Sequence, residues 1–394
     1  MPDYVDTYLR NECYCEKVWA VITGLAIQKN NARMLLKANG KEAYYPKCPS
    51  AIGQPLAEDC AIPLGPPGSS ICVRIPLIAG GRIWFSCDKK LVFLLNPGGP
   101  NGAALVEPSV LNPSDPNAHT NFSFCEFTLN EHQLFANITY VDHVPAIPVA
   151  MTLQTASGAI QHVSGMPADG LDRVCERLRA QALRDGMPWD RLIVQDKGCA
   201  PLRVLSPTHG DAVGAAFAGY FEPYVDRVWK HYSRPASAPS AKTLRVNTQA
   251  APGVLRGRVD DKGRLAFGDE AFARPTTADI MGCNSGPFAT GPSATRNALI
   301  PRLAAAFQRG GLTDTADHPA DPAWFYKSDP TNHYSRIVHE CNLDAKGYAF
   351  AYDDVQPDGG ADQSGKVEAP DPTAWIVAVG GRWAYAGNRM PTTP

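Results

Sequence analysis

The chain has 394 residues, 44% of them hydrophobic and 19% charged, with a formal net charge of −2. That is enough for two domains or one large one with an ample core, and the near-neutral balance leaves no basic footprint for nucleic acid and no polybasic patch for a membrane. No run reaches the ~18 to 20 consecutive apolar residues of a membrane span, and Met1-Pro-Asp-Tyr-Val-Asp6 lacks the basic and apolar regions of a signal peptide, which was either removed or never present.

From the start to about residue 165 the sequence is strand-like. Short runs such as Trp19-Ala-Val-Ile22, Ile71-Cys-Val-Arg-Ile75, Arg82-Ile-Trp-Phe-Ser86 and Leu91-Val-Phe-Leu-Leu95 alternate with turns such as Asn96-Pro-Gly-Gly-Pro-Asn-Gly102. The most informative stretch is a predicted β-hairpin, Phe122-Ser-Phe-Cys-Glu-Phe-Thr-Leu-Asn130 followed by Phe135-Ala-Asn-Ile-Thr-Tyr-Val-Asp142. Along its first strand Cys125, Phe127 and Leu129 mark an apolar face, and Glu126, Thr128 and Asn130 a polar one. Glu126 therefore heads a row of hydroxyl and amide groups, with a second carboxylate, Asp142, 16 positions on. Sugar hydrolysis needs such a pair, one acid to protonate the leaving oxygen and one base to activate water. The plain alternative is a solvated sheet face with scattered acids.

The character changes after residue 165. Leu171, Val174, Cys175, Leu178 and Ala182 fall at helical spacing between Asp169 as N-cap and Gly186 as stop. A strand Arg191-Leu-Ile-Val-Gln195 follows, then helical stretches from Ala212 to Phe221 and Pro223 to Tyr232. A Pro/Ser/Ala-rich loop over Arg234 to Lys242 precedes short strands at Leu244-Arg-Val-Asn247 and Gly253 to Val259. A last helix is predicted from Ser293 to Arg309, with Pro301 kinking or restarting it. Beyond about residue 310 the strand-like sequence returns and ends in Trp375-Ile-Val-Ala-Val-Gly-Gly381. The predicted organisation is thus a discontinuous β-domain, residues 1–165 with 310–394, and a mixed α/β domain, 166–309, inserted in the middle.

Eleven cysteines, an odd number, leave at least one thiol free, and their scatter without CxxC pairs speaks against a metal site while permitting disulfides in a secreted protein. The sequons Asn121-Phe-Ser123 and Asn137-Ile-Thr139 also permit secretion. Asp354-x-Gln356-x-Asp358-Gly359 resembles the start of a calcium loop, but Gly365 stands where the bidentate Glu is needed. Cys283-Asn-Ser-Gly286 lacks the spacing of a nucleophile elbow. His333 and His339, six apart, do not share a helix face and read as packing or hydrogen-bonding residues, while Trp84, Trp189, Trp229 and Trp324 are sugar platforms or, more commonly for Trp, core.

Five ordered segments, Cys125 to Asn130, Phe135 to Asp142, Gly282-Cys-Asn-Ser-Gly-Pro-Phe288, Pro330-Thr-Asn-His-Tyr-Ser-Arg-Ile-Val-His339 and Gly347-Tyr-Ala-Phe-Ala-Tyr-Asp-Asp-Val355, resemble glycoside hydrolase family 64. The resemblance implies a β-rich α+β protein: a thaumatin-like β-barrel or sandwich, an inserted mixed α/β domain, and a wide glucan groove between them. It implies an inverting endo-type β-1,3-glucanase that cleaves laminarin-like glucan, acting without cofactor or metal, as an extracellular or cell-wall monomer. Carried over by position, Glu126 is the general acid and Asp142 the general base. Thr128, Asn130 and Thr139 line the groove, Phe135 is the aromatic platform, and Asp353 and Asp354 bind sugar hydroxyls. The rival reading is a non-catalytic thaumatin-like glucan binder, against which the retained acid/base pair argues.

Two registers suit the hairpin. If Asn130 pairs with Phe135, Glu126 faces Thr139 and Asp142 has the wrong parity unless a β-bulge intervenes. If Glu126 faces Tyr140, Asp142 lies two residues along the same face, but Thr139 points away. Because the resemblance puts Thr139 in the groove, the bulge is the expected solution.

Overall fold

A computed structural model of the chain describes residues 3–99, 102–233, 242–250 and 252–381. Residues 234–241 of the expected Pro/Ser/Ala-rich loop and the stretch 382–394 lie outside the described residues. Two open sheets face one another. The five-stranded sheet runs Ile160–Val163, Val149–Thr155, Pro372–Val379, Tyr4–Asn11, Ser70–Pro76. The larger sheet includes, side by side, Lys366–Ala369, Leu134–Ile138, Phe122–Leu129, Ile78–Cys87, Val18–Ala26 and Ala32–Leu36. Neither closes on itself, so the β-rich part is a sandwich, not a barrel, among the described residues.

Alternation builds the sandwich. Along Tyr4–Asn11 the residues Val5, Thr7, Leu9 and Asn11 are buried while their neighbours are partly or fully exposed, the period of a strand with one face on a core. Leu9 and Val377 from one sheet share a core with Cys125, Phe127 and Ile83 from the other, and the Phe127 and Trp375 rings lie 5.3 Å apart. Glycine is required at Gly81, where a Cβ would stand 2.5 Å from the Phe127 ring on the paired strand. The first and last described strands pair directly and in parallel, Thr7 beside Trp375 through Asn11 beside Val379.

The middle of the chain is mixed. Helix Gly170–Asp185 buries Leu171, Val174, Cys175 and Leu178, and Gly186 ends it in the left-handed region at φ 72°. Asp169, expected as its cap, makes no capping hydrogen bond and instead pairs with Arg173 at 2.9 Å. Helices Glu222–Tyr232 and Ala294–Gln308 follow, the latter containing Pro301. The expected helical stretch before Phe221 is instead a 3-10 helix, Pro207–Val213, and a turn.

Helix His333–Cys341 lies where strands were expected. Asn332 caps it by accepting from the Ser335 N–H, and Tyr334, Ile337, Val338 and Cys341 form its buried stripe. It packs against Gly170–Asp185, and Asp317–His318 pairs with Leu244–Asn247, so residues just past 310 side with the middle of the chain. One continuous core runs through both portions, joining Leu9 and Phe127 to Val174, Trp229 and Phe307. All eleven cysteines are free thiols, with Cys13 and Cys87 sulfurs 3.9 Å apart. Trp84, Trp189 and Trp229 are buried and belong to the core, while Trp324 is exposed. Among the described residues no helix is long and apolar enough to cross a membrane.

Candidate active site

The outer face of the larger sheet changes character along its length. At one end Trp84, Phe93, Phe122 and Phe124 form a separate small core, with the Trp84 and Phe124 rings 4.7 Å apart. Two residues further along the same face the row becomes Glu126 and Thr128, and the sheet opens to solvent. An open pocket of about 360 Å³ sits there, lined by Arg82, Glu126, Phe135, Asn137, Thr139, Val141, Asp142, Tyr348 and Ala351.

The hairpin register differs from both expected ones. Glu126 stands opposite Asn137 and Thr128 opposite Phe135, with a tight loop in which the Asn130 N–H bonds the Gln133 carbonyl at 3.0 Å. The reason is Asn130 itself, whose Oδ1 accepts the backbone N–H groups of His132 (2.8 Å) and Gln133 (2.9 Å), an Asx-type turn that closes the hairpin two residues earlier than Asn130 pairing with Phe135 would. Asn130 is thus a turn residue, away from the pocket lining. Parity keeps Glu126, Thr128, Phe135, Asn137 and Thr139 on one face.

Asp142 reaches the pocket by a different route from the expected bulge. The strand ends at Ile138 and the chain bends out of the sheet, with the Tyr140 N–H bonding the Tyr348 carbonyl (2.7 Å) and the Tyr140 carbonyl accepting from the Tyr334 hydroxyl (2.6 Å). It then enters a small sheet in which His143–Pro145 pairs with Pro201–Leu205. Asp142 sits at this joint, its carbonyl accepting from the Ser206 N–H at 2.9 Å. Its Oδ1 lies 3.2 Å from His209 Nε2. The His209 hydrogen bond, with a smaller contribution from the nearby Arg82 guanidinium, holds the Asp142 carboxyl below its ordinary range despite partial burial.

Glu126 is tied differently. Arg82 donates Nε (3.2 Å) and Nη2 (3.1 Å) to Glu126 Oε1 while its Nη1 donates to Glu107 Oε2 at 2.8 Å. Thr23 donates to the other Glu107 oxygen at 3.2 Å, and Trp84 Nε1 donates to Thr23 at 3.2 Å. One guanidinium is therefore shared between two carboxylates, and its plane rests over Phe124, 4.9 Å from the ring centroid.

The facing wall is the segment Gly347 to Val355, which contributes Tyr348 and Ala351. Asp353, expected to bind sugar, is 1% exposed and cannot. Its carboxylate accepts from Arg309 Nη2 (3.0 Å), His339 Nε2 (2.9 Å) and the Ala349 N–H (2.9 Å). A buried carboxylate so surrounded is held below its ordinary range and in turn raises His339. Asp354 is exposed, beside the Tyr348 hydroxyl. Asp358, within the supposed calcium loop, accepts from Asn247 and Gln249, both at 2.8 Å. His333 and His339 have separate partners, Asp329 and Asp353.

Arg82, Asn137, His209 and Tyr348 were not expected in the site. Asn137 was legible, since it falls between Phe135 and Thr139 on the same face. As a sequon it is unsuitable, because it is 7% exposed and a glycan there would fill the pocket. Thr128 accepts from the Gly80 N–H at 3.3 Å, Thr139 accepts from the Val141 N–H at 3.4 Å, and Lys366 lies 5.7 Å from the Phe135 ring centroid.

The family model of the β-1,3-glucanases of glycoside hydrolase family 64 matches residues 3–379. The chain belongs to that family. A glucan endo-1,3-β-glucosidase of Cellulosimicrobium cellulans is 31% identical over 291 residues, 73% of this chain and 50% of that protein. One from Arthrobacter sp. (strain YCWD3) is 30% identical over 337 residues, 82% of this chain and 58% of that protein. The family 64 chain thus spans about half the length of the curated relatives it matches. A laminaripentaose-producing β-1,3-glucanase, solved with laminaritetraose, superposes with a TM-score of 0.82 at 29% identity, covering 96% of this chain and 99% of that one. A family 64 β-1,3-glucanase domain from Clostridium beijerinckii shares the fold, with a TM-score of 0.73 at 22% identity and coverage of 96% and 98%.

Proposed function

We propose that this family 64 chain is an endo-acting β-1,3-glucanase that hydrolyses laminarin-like glucan with inversion, Glu126 protonating the leaving oxygen and Asp142 activating water. The observation that carries the reading is the single open pocket lined by both carboxylates together with Phe135, Asn137 and Thr139. Thr139 lies one strand over (~4.8 Å) and two residues along (~7 Å) from Glu126 in this register, and Asp142 is three residues further round the bend. Inversion needs the two carboxyls about 6.5–9.5 Å apart, with a water between, where retention would require about 5 Å, and the placement of Asp142 beyond the strand, on a different element from Glu126, suits the wider spacing.

In this reading Phe135 supplies a face for the sugar ring, Thr128, Asn137 and Asp354 meet hydroxyls, and the pocket takes an uncharged polymer without metal or cofactor. The fold is read as a thaumatin-like sandwich with the mixed portion inserted, the boundary falling near Asn342 in place of residue 310. The protein acts as a monomer outside the cell or at the wall, where an insoluble glucan is met. Reducing-end release from laminarin, followed by proton NMR of the first product, tests the proposal. An α-anomer at early times and its loss in Glu126→Gln and Asp142→Asn are expected. A β-anomer first would overturn inversion, and a wild type that binds insoluble glucan without releasing reducing ends would make the protein a binder.

A further inference from the structure

Asp142 stands on a bend, outside any strand, so the sheet that carries Glu126 does not hold it. What holds it comes from the middle of the chain. The Ser206 N–H takes its carbonyl and His209 Nε2 its Oδ1. That segment is itself pinned: Pro207 opens the 3-10 turn, the His209 N–H bonds the Ser206 carbonyl (2.9 Å), and Thr208 Oγ1 donates to the Met281 carbonyl (2.8 Å). The His209 ring is partly buried, its side chain 22% exposed, while the Asp142 side chain it meets is 46% exposed toward the pocket.

Resting on the reading of Asp142 as the base, we propose that His209 is a positioning residue for hydrolysis, clamping one carboxylate oxygen so that the other is left to receive the proton of the attacking water. In the step, the water oxygen bonds the anomeric carbon as the glycosidic carbon–oxygen bond breaks. Glu126 gives its proton to the leaving oxygen, and Asp142 takes one from the water. His209 keeps its own proton on Nε2 throughout, so Asp142 is oriented before the reaction and needs no rearrangement during it. The other charged or titratable groups facing Asp142 are Arg82, which favours its charge, the buried neutral His143, and Tyr334 and Glu126, from the helix and sheet beside it. Of these, the His209 hydrogen bond contributes most to keeping the carboxylate ionised.

The test uses the full chain with His209→Ala and His209→Gln, the latter placing an amide N–H near the position of Nε2. For His209→Ala, kcat on a laminari-oligosaccharide is expected to fall about tenfold or more with KM within about twofold. The acid limb of the pH–rate profile is expected to move to higher pH, since a base that loses a donor needs a higher pH to ionise. His209→Gln is expected to restore part of both. Full kcat with an unmoved limb in His209→Ala would overturn the proposal. So would a loss equal at every pH that simply follows a lowered Tm and is not relieved in His209→Gln. Asp142→Asn separates the two ideas. If it is inactive while the His209 variants behave as wild type, the positioning role alone fails. If it hydrolyses normally, the base assignment fails and the positioning role with it.

Discussion

A sugar ring has two apolar faces edged with hydroxyls, and in the proposed reading Phe135, which lines the pocket with Tyr348, offers an aromatic surface to one of them. Phe135→Ala is expected to raise KM about threefold to tenfold with little change in kcat, because stacking of this kind contributes about 0.5–1.5 kcal/mol to ground state and transition state alike. A steady-state comparison on laminarin checks it, and an unchanged KM would remove Phe135 from the groove. Strand alternation made Glu126 and Thr128 legible, since period-two patterning needs only local sequence, whereas Phe135 and Thr139 came from the family resemblance. The same patterning missed the register by two residues, because Asn130 spends its carbonyl oxygen on the turn. Asp142 was legible as a second carboxylate 16 positions on, but its role as the base came from family resemblance. Its position depends on Ser206, Tyr334 and Tyr348, residues 64 to 206 positions away in the chain. Nothing near His209 in sequence marks it as the partner of a carboxylate.

At the scale of elements, the wall opposite Glu126 is a loop held from behind. Arg309, on the turn after helix Ala294–Gln308, bonds the carbonyls of Asp353 and Val355 as well as the Asp353 carboxylate, and His339 reaches the same carboxylate from helix His333–Cys341. Asp353→Ala leaves Arg309 buried without its counter-charge, a change that costs about 3–5 kcal/mol. The variant is expected to show a markedly lower Tm and, where still folded, reduced turnover through displacement of Tyr348. Thermal unfolding beside activity at low temperature measures both, and a stable, fully active variant would contradict the clamp. The helix behind this clamp was hidden in the sequence because its nine residues sit in a Pro- and Asp-rich stretch, and the buried stripe of Tyr334, Ile337, Val338 and Cys341 has meaning only against Gly170–Asp185. By contrast Gly170–Asp185 itself was plain, four turns with a periodic apolar face and a terminal Gly.

For the molecule as a whole, buried imidazoles set the response to mild acid, His143 and His318 most strongly. Burial pushes His143 and His318 each down to about 4, so both are neutral in the fold near pH 6 while an unfolded chain would already bind protons there, at an ordinary value of ~6.5. Stability from such depressed histidines is fully present above pH ~6.5 and is lost as pH falls toward ~4, by about 3 kcal/mol for each. His339, raised by Asp353, works in the opposite sense, its contribution present below ~6.5 and fading as pH rises. Burial also depresses His162 and His333, so with four imidazoles against one the net expectation is a falling urea midpoint between about pH 6.5 and about pH 4. A flat or rising midpoint over that window would show that these rings are not neutral and buried in solution.

The parallel pairing of Tyr4–Asn11 with Pro372–Val379 fixes when the protein can be finished as well as how. On a ribosome the first strand emerges hundreds of residues before its neighbour at the centre of the sheet, and until then one of its long edges has only water or another protein to bond. The chain must therefore be carried through synthesis with half a sandwich open, and a nascent chain stalled ahead of residue 372 is expected to be far more readily cut by protease than the released protein.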